Sequence, residues 1–132
     1  MEEMEDIICL DTTELIDIIK GKEKLDELEN KTLVTTQINA FELACGGEND
    51  KEISVIENFI KSFPKKTIKT DDALLAGKIS RELRHKGLGL GPRGPRDLLI
   101  GSICINRNIP LKTKNKKHFE RFKDYGLKLF SS

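Results

Sequence analysis

The sequence predicts an α/β protein in which a mostly parallel sheet is covered on both faces by helices. Short apolar or β-branched runs alternate along the chain with segments whose apolar residues recur every three or four positions. Hydrophobic residues make up 37% of the 132 residues, and the ten glycines raise the apolar share to about 45%, enough for a packed core. Neither a repeat nor a linker divides the chain, so residues 1–132 are expected to form a single domain.

Two strands with a helix between them are predicted in the first 36 residues. Ile7–Leu10 is a short apolar run of the kind that forms a buried strand. Thr12 or Thr13 can cap the helix that follows. Thr32–Thr36 is rich in β-branched residues and predicts the second strand.

Two helices and a short strand are predicted next. Gln37–Cys45 is typical of a short helix, which the two glycines after it close. Lys51–Phe63 repeats its apolar residues at three- and four-residue steps and predicts an amphipathic helix that Pro64 ends. Thr67–Lys69 then predicts a short strand.

A long helix, a loop and a second helix are predicted in the middle of the basic half. The first helix is capped by Asp71 or Asp72 and extends to about Lys86. Gly87–Pro95 contains four glycines and two prolines, so it is expected to be a flexible loop near a functional site. An apolar helix is then expected to begin at Asp97.

In the last part of the chain, the sequence predicts a fourth strand, a short helical segment and a final edge strand. Pro110–Thr113 is interpreted as the fourth strand, and a basic loop follows it. His118–Lys123 is expected to form one or two helical turns. Leu127–Phe130 is interpreted as a final edge strand.

The net charge of +1 conceals an uneven distribution of charge along the chain. Residues 1–60 hold sixteen acids and five bases, whereas residues 61–132 hold six acids and eighteen bases. A basic half of this kind fits a protein that follows a phosphate backbone, and equally a solvated lysine-rich face.

Several classes of protein are excluded by simple patterns. The longest apolar run spans eight residues, 98–105, which is too short to cross a bilayer, and the first six residues are acidic where a signal peptide is basic. We therefore expect a cytoplasmic protein that does not enter a membrane. The three cysteines, Cys9, Cys45 and Cys104, lack metal-ligand spacing and are expected to be buried free thiols.

Acidic residues are predicted to meet at one edge of the sheet. In open α/β sheets, ligands bind outside the carboxyl ends of the strands. Asp11 ends the first strand, Glu42 lies in the helix after the second, Asp97 begins the helix that leads to the fourth, and Asn115 follows that fourth strand. Clustered carboxylates repel one another, and a hard divalent cation such as Mg²⁺ or Mn²⁺ removes that repulsion. Such a site can activate water and stabilise charge on a phosphoryl group.

Simpler roles remain open for each acid. Asp11 and Asp97 can be helix caps, and Glu42 can lie on an exposed helix face. The remaining acids near helix starts are interpreted as surface or cap residues: Asp6, Glu14, Asp17, Asp71 and Asp72.

The glycine-rich loop has the residue spacing of a dinucleotide-binding motif but not the structural context of that motif. Gly89, Gly91 and Gly94 have the G-x-G-x-x-G spacing, but they follow a helix rather than a strand, and Pro92 and Pro95 lack the N–H groups that bind pyrophosphate. Arg93 and Arg96 are better candidates for contacts with phosphate groups.

Four segments together resemble the PIN-domain family, and most of all its VapC-type toxin ribonucleases. The first strand and helix of that family resemble ICLDTTELIDIIKG, and its second acidic motif resembles INAFELACGG. The helix before its third motif is similar to DDALLAGKISRELRHKG, and its last two motifs are similar to RDLLIGSICINRNIPLKTKNKKHFERFKDYGLKL. The resemblance covers about residues 7–130, and it rests on the order and spacing of the motifs.

The resemblance implies roles for individual residues. Asp11, Glu42 and Asp97 stand at the positions of the family's metal-binding and catalytic acids. Asn115 stands where the family has Asp or Asn, and Thr13 stands where Asn is common. The residues expected to contact substrate are Thr13, Arg93, Arg96, Thr113, Lys114 and Asn115.

The resemblance also implies a fold and a function. It implies a three-layer PIN fold with a parallel sheet of about four or five strands, Mg²⁺- or Mn²⁺-dependent hydrolysis of RNA, a homodimer and a cognate antitoxin protein. A PIN nuclease of RNA processing or quality control is an alternative, as is a non-catalytic PIN-like module that binds RNA or protein. The three carboxylates argue against the module, since it has no need of them.

Overall fold

The computed structural model describes residues 6–22 and 25–131. Helices α1–α6 and strands β1–β4 follow one another in the order β1, α1, β2, α2, α3, β3, α4, α5, β4, α6, with a 3-10 turn before β2 and another after α6. Their bounds are β1 Ile7–Leu10, α1 Thr12–Ile19, β2 Thr32–Thr36, α2 Gln37–Ala44, α3 Asp50–Ser62, β3 Lys65–Lys66, α4 Thr70–His85, α5 Gly94–Arg107, β4 Leu111–Lys112 and α6 Lys116–Phe119, with 3-10 turns at Leu25–Leu28 and Glu120–Tyr125.

The described strands form one parallel sheet in the order β3-β2-β1-β4, which confirms the predicted fold class. Cys9 of β1 pairs with Val34 of β2 on one side and with Leu111 of β4 on the other. Strand β1 is therefore central, and the residue that follows it lies between the ends of two neighbouring strands.

Alternating residues of β1 belong to two separate cores, because successive side chains of a strand point to opposite faces. Cys9 lies in a core built with α4, α5 and two phenylalanines near the C-terminus, Phe119 and Phe122. Ile8 and Leu10 lie in a second core with α1 and α2, against which α3 packs. The sheet is thus the middle of three layers, as the resemblance implied.

The third strand lies earlier in the chain than predicted. The prediction of a strand at Thr67–Lys69 is wrong, and the paired residues are Lys65 and Lys66. Phe63 is already extended because the residue before a proline disfavours helical geometry. The carbonyl of Pro64 accepts a hydrogen bond from the N–H of Thr35, so pairing with β2 starts at once.

Two helices begin before the acids that were expected to cap them. Helix α5 begins at Gly94 rather than at Asp97, with a proline in its first turn, where a missing N–H is not needed. Helix α4 begins at Thr70, and Asp72 accepts a hydrogen bond from the N–H of Lys69 at 2.8 Å from inside the first turn. Asp72 is therefore a cap acid, but it is buried rather than on the surface.

The structure also differs from the predictions at the C-terminal edge strand and at one of the three cysteines. Residues 127–130 contribute a single bridge, between Leu111 and Leu129, in place of the expected strand. Cys45 is exposed because it caps the end of α2, so the expectation of three buried thiols holds only for Cys9 and Cys104. Among the described helices, none combines the length and the apolar character needed to cross a membrane.

Candidate active site

Asp11 occupies the carboxyl end of the central strand and is held from both sides. Its Oδ1 accepts a hydrogen bond from Asn39 Nδ2 at 2.9 Å, and its Oδ2 accepts one from Thr113 Oγ1 at 2.6 Å. The residue is 5% exposed, and its side chain makes no capping hydrogen bond to α1. The interpretation of Asp11 as a simple helix cap is therefore wrong. The sheet order brings its two donors together, since they follow the strands on either side of β1.

Asn39 is a site residue that the sequence analysis missed. It is fully buried in α2, and its Oδ1 accepts a hydrogen bond from Thr36 Oγ1 at 2.7 Å, which fixes the orientation of the amide. Its Nδ2 is then free to donate both to Asp11 and to Thr12 Oγ1. The sequence did contain a signal for Asn39. It lies three positions before Glu42, and residues three apart on a helix share a face, so both side chains lie on the same side of α2.

Glu42 faces the site rather than solvent. Its Oε1 accepts a hydrogen bond from Thr12 Oγ1 at 2.6 Å, and its Oε2 lies 3.5 Å from Arg96 Nε. Its side chain is 11% exposed, whereas the neighbouring Phe41 is 59% exposed. The alternative of an exposed Glu42 is therefore wrong.

Asp97 completes the group of carboxylates from the first turn of α5. Its side chain is 13% exposed, and its Oδ2 lies 3.8 Å from His118 Nδ1. Burial, and after it the charges of Asp11 and Glu42, raise the pKa of Asp97 to about 6, although His118 and Arg121 partly oppose this effect. The three acids thus repel one another across a shared space, which is the convergence that their positions in the sequence predicted.

The hydroxyl groups near the acids only partly match the prediction. Thr113 contacts Asp11 as described, and the N–H of Asn115 donates to Thr113 Oγ1 at 2.9 Å. Thr13 contacts none of the three carboxylates, since its Oγ1 accepts from the N–H of Lys114 at 3.4 Å. Thr12, one residue earlier, supplies the hydroxyl of the site.

Lys114 lies apart from the three carboxylates, beside other acids. Its Nζ is 2.8 Å from Asp17 and 3.4 Å from Glu14, and these carboxylates raise the pKa of the lysine. Glu14 is 1% exposed and also pairs with Lys112 at 2.7 Å, so its interpretation as a surface or cap acid is wrong. A carboxylate in the interior needs such partners, and they come from the segment next to β1 in the sheet.

The oxygen atoms of the site fit a hard cation, although the carboxylates of Asp11 and Glu42 accept hydrogen bonds from neighbouring side chains in this structure. Within residues 6–22 and 25–131, no three His, Cys, Asp or Glu side chains are arranged to hold a metal ion as they stand. Three carboxylates and nearby hydroxyls nonetheless form an all-oxygen set of the kind that Mg²⁺ and Mn²⁺ prefer. The raised pKa of Asp97 reflects burial first and then the negative charges of Asp11 and Glu42, which a bound cation would offset.

Known proteins resemble this chain over most of its length. The PIN-domain family model matches residues 8–125. Ribonuclease VapC1 from Methanocaldococcus jannaschii is 36% identical over 130 residues, which cover 98% of this chain and 91% of the relative. The tRNA(fMet)-specific endonuclease VapC from Salmonella typhimurium is 32% identical over 120 residues, covering 85% of this chain and 89% of the relative.

Two solved structures share the fold over nearly the whole chain. VapBC-1 from nontypeable Haemophilus influenzae matches with a TM-score of 0.76 and 27% identity, covering 95% of this chain and 97% of that one. DNA-bound VapBC from Salmonella typhimurium matches with a TM-score of 0.75 and 26% identity, covering 96% and 98%. The fold, the carboxylates and these likenesses lead to one conclusion: the chain belongs to the PIN-domain family and is of the VapC type.

Proposed function

We propose that this protein is a divalent-metal-dependent endoribonuclease, folded as one domain over residues 1–132, that serves as the toxin of a toxin–antitoxin pair. The observation that carries the proposal is the group of three carboxylates, in which mutual repulsion and burial raise the pKa of Asp97 to about 6. The fold does not need three acids grouped at one edge of the sheet, whereas a metal ion that assists phosphodiester hydrolysis is bound by such a group. Relatives named as ribonucleases support the choice of RNA as substrate.

Asp11, Glu42 and Asp97 are the residues proposed to hold Mg²⁺ or Mn²⁺. When bound, such an ion lowers the pKa of water and stabilises charge on phosphoryl oxygens. The chain's own contribution is orientation: Asn39 and Thr113 fix both oxygens of Asp11, and Thr12 fixes one oxygen of Glu42. Preorganised carboxylates of this kind need little rearrangement when the substrate arrives.

The basic half of the chain is proposed to hold the RNA backbone. Arg93 immediately precedes α5, and Arg96 lies in the first turn of that helix, beside Asp97. Arg96 lies against Glu42, so its guanidinium is already within the site. Thr13, Thr113 and Asn115 line the edge at which β1 and β4 end, and they remain proposed substrate contacts together with Lys114.

A cognate antitoxin protein and a second copy of the chain are the proposed protein partners. The structural neighbours named above are toxin–antitoxin complexes, which supports the antitoxin. An open groove of about 680 Å³ lies between α1 and α3, lined by apolar residues such as Ile16, Ile19 and Val55. Amphipathic helices that leave an apolar groove open are suited to bind a partner.

The decisive experiment is cleavage of a total RNA pool by the purified protein. We expect cutting with Mg²⁺ or Mn²⁺, none with EDTA, and none by Asp11→Asn with either metal. Direct titration of Mn²⁺ in a calorimeter, with the same variant as control, separates an inactive enzyme from a rare substrate. A wild-type protein that neither cuts RNA nor binds Mn²⁺ contradicts the proposal and favours a non-catalytic binding module.

A further inference from the structure

A pocket of about 410 Å³ adjoins the carboxylates and shares one of them. One wall is the end of the glycine-rich loop, residues 90–94, and the other is the segment 117–121. Asp97 also lines the pocket, so the space continues directly from the acids. Its volume lies within the range of about 300–1,000 Å³ that is usual for pockets that hold small organic groups.

Two cations in this pocket are unpaired among the described residues. Arg93 and Lys117 are exposed, and neither side chain has a hydrogen bond or an ion pair within residues 6–22 and 25–131. Asp97 is the sole acid of the pocket lining, and its Oδ2 lies 3.8 Å from His118 Nδ1. The positive charge of the pocket is therefore not balanced from within, which favours an anionic ligand.

A third cation of the pocket lining, Arg121, already has hydrogen-bond partners and connects the two walls of the pocket. The guanidinium of Arg121 donates to the carbonyls of Gly89 at 3.3 Å and Leu90 at 3.2 Å, and its Nε donates to the carbonyl of His118 at 3.1 Å. It also lies 5.0 Å from the centre of the Phe122 ring. Arg121 thus ties the loop to the opposite wall, so that the pocket is held open as a formed site.

We propose that this pocket binds one nucleotide of the RNA next to the cleaved bond, with Arg93 and Lys117 on its phosphate. The inference rests on the proposed function, because it assumes that an RNA strand crosses the three carboxylates. A strand whose cleaved phosphate lies at Asp97 must place a neighbouring nucleotide on one side of that residue. The pocket lies beside Asp97, and the unpaired side chains of Arg93 and Lys117 line it, so it is the space that we assign to this nucleotide.

The test measures RNA binding without catalysis. A fluorescent single-stranded RNA of mixed sequence is titrated in EDTA at several KCl concentrations against Arg93→Gln, Lys117→Gln and the wild type. Each variant is expected to bind about 3–10-fold more weakly and to lower the slope of log affinity against log salt by about 0.7, the effect of one lost phosphate contact. Arg93 makes no side-chain cap to α5, so its replacement leaves the helix start intact.

The matched control is Lys61→Gln, which removes one exposed lysine from α3, outside the pocket lining. It is expected to change the affinity less than twofold. Wild-type affinity and slope in both pocket variants, with cleavage by the wild type intact, overturn the pocket and leave the proposed function standing. An equal loss in the Lys61 variant also overturns it, because the effect is then general charge rather than a site.

Discussion

The guanidinium of Arg96 lies 3.5 Å, from Nε to Oε2, from the carboxylate of Glu42. One of the three acids therefore has a positive partner from its own chain. Arg96 comes from the first turn of α5, next to Asp97, so a single helix start supplies both an acid and the cation that faces a second acid. A metal ion at these carboxylates must share Glu42 with this arginine.

Removal of that arginine is expected to strengthen metal binding. Arg96→Gln leaves Glu42 without its competing cation, and we expect Mn²⁺ to bind about 3–10-fold more tightly, corresponding to about 1 kcal/mol for a partly exposed charge. Calorimetric titration measures it, with Arg81→Gln on α4 as the control that removes an exposed arginine elsewhere. Weaker Mn²⁺ binding by the Arg96 variant would show that the arginine supports the site rather than competing in it.

Replacement of Asp97 by asparagine is expected to stabilise the metal-free protein at neutral pH. A carboxyl with a raised pKa stabilises the fold below its unfolded pKa and loses that contribution as pH rises through the folded pKa, here from about 4 to about 6. We expect Asp97→Asn to gain about 1–2 kcal/mol at pH 7.5, after allowance for solvent at this site, and almost nothing near pH 4.

Urea unfolding in EDTA at the two pH values measures this difference. Asp124→Asn, which changes an exposed carboxylate outside the three acids, serves as the control and should show no such dependence on pH. The Asp97 variant should also fail to cleave RNA. An equal effect of Asp97→Asn at both pH values is incompatible with a titrating carboxyl at this position.

Loss of the Asn39 side chain is expected to impair both stability and catalysis. Asn39→Ala leaves Asp11 Oδ1 without a donor and Thr36 Oγ1 without an acceptor in a buried site, at a cost of about 2–3 kcal/mol. Asp11 then loses one of its two fixed oxygens, so kcat should fall about tenfold or more with little change in KM. Gln37→Ala on the same helix is the exposed control. A kcat that stays at the wild-type value would remove Asn39 from the site.

The buried Asp72 is expected to stabilise the fold above its own pKa and not below it. Burial raises its pKa, but hydrogen bonds from Arg107 at 3.0 Å, Asn106 at 2.8 Å and the N–H of Lys69 outweigh burial and hold the pKa below its usual value. A depressed pKa contributes stability above the unfolded pKa, and that contribution is lost as pH falls through the folded pKa.

A pair of neighbouring variants tests this. Asp72→Asn should lose about 2–3 kcal/mol at pH 7, since it removes the buried carboxylate that accepts hydrogen bonds from Arg107, Asn106 and the N–H of Lys69, and the loss should shrink below about pH 4. Asp71→Asn, one residue earlier and exposed, should change the free energy of unfolding by less than about 0.5 kcal/mol. Similar losses in the two variants would mean that the first turn of α4, and not the buried contact, determines the result.

Local signals predicted the parts of the site that lie in regular elements. Ile7–Leu10 is apolar throughout, and the residue after a central strand lies at the ligand-binding edge of a parallel sheet, so Asp11 was predictable. Glu42 and Asp97 followed from the same topology. The family resemblance added the expectation that the three acids act together.

Long-range partners were not predictable from local pattern. Glu14 looks like an ordinary first-turn acid, and its burial depends on Lys112, which is 98 residues away in the chain. The choice of Thr12 over Thr13 depends on which side of α1 faces α2, and adjacent threonines carry the same local signal. The position of β3 depended on a two-residue edge pairing, which is too short to leave a periodic pattern.

The two donors to Asp11 are 28 and 102 residues away from it in the chain. When a ribosome has synthesised the chain only as far as Glu42, Thr113 does not yet exist. Asp11 then has only one of its two hydrogen-bond donors, Asn39. Strand β4, which pairs with β1 on the side of Thr113, is likewise synthesised after the segments that carry the three acids. A nascent polypeptide that ends between Asp97 and Thr113 therefore contains all three acids but lacks one of the two side chains that orient Asp11 in the folded protein.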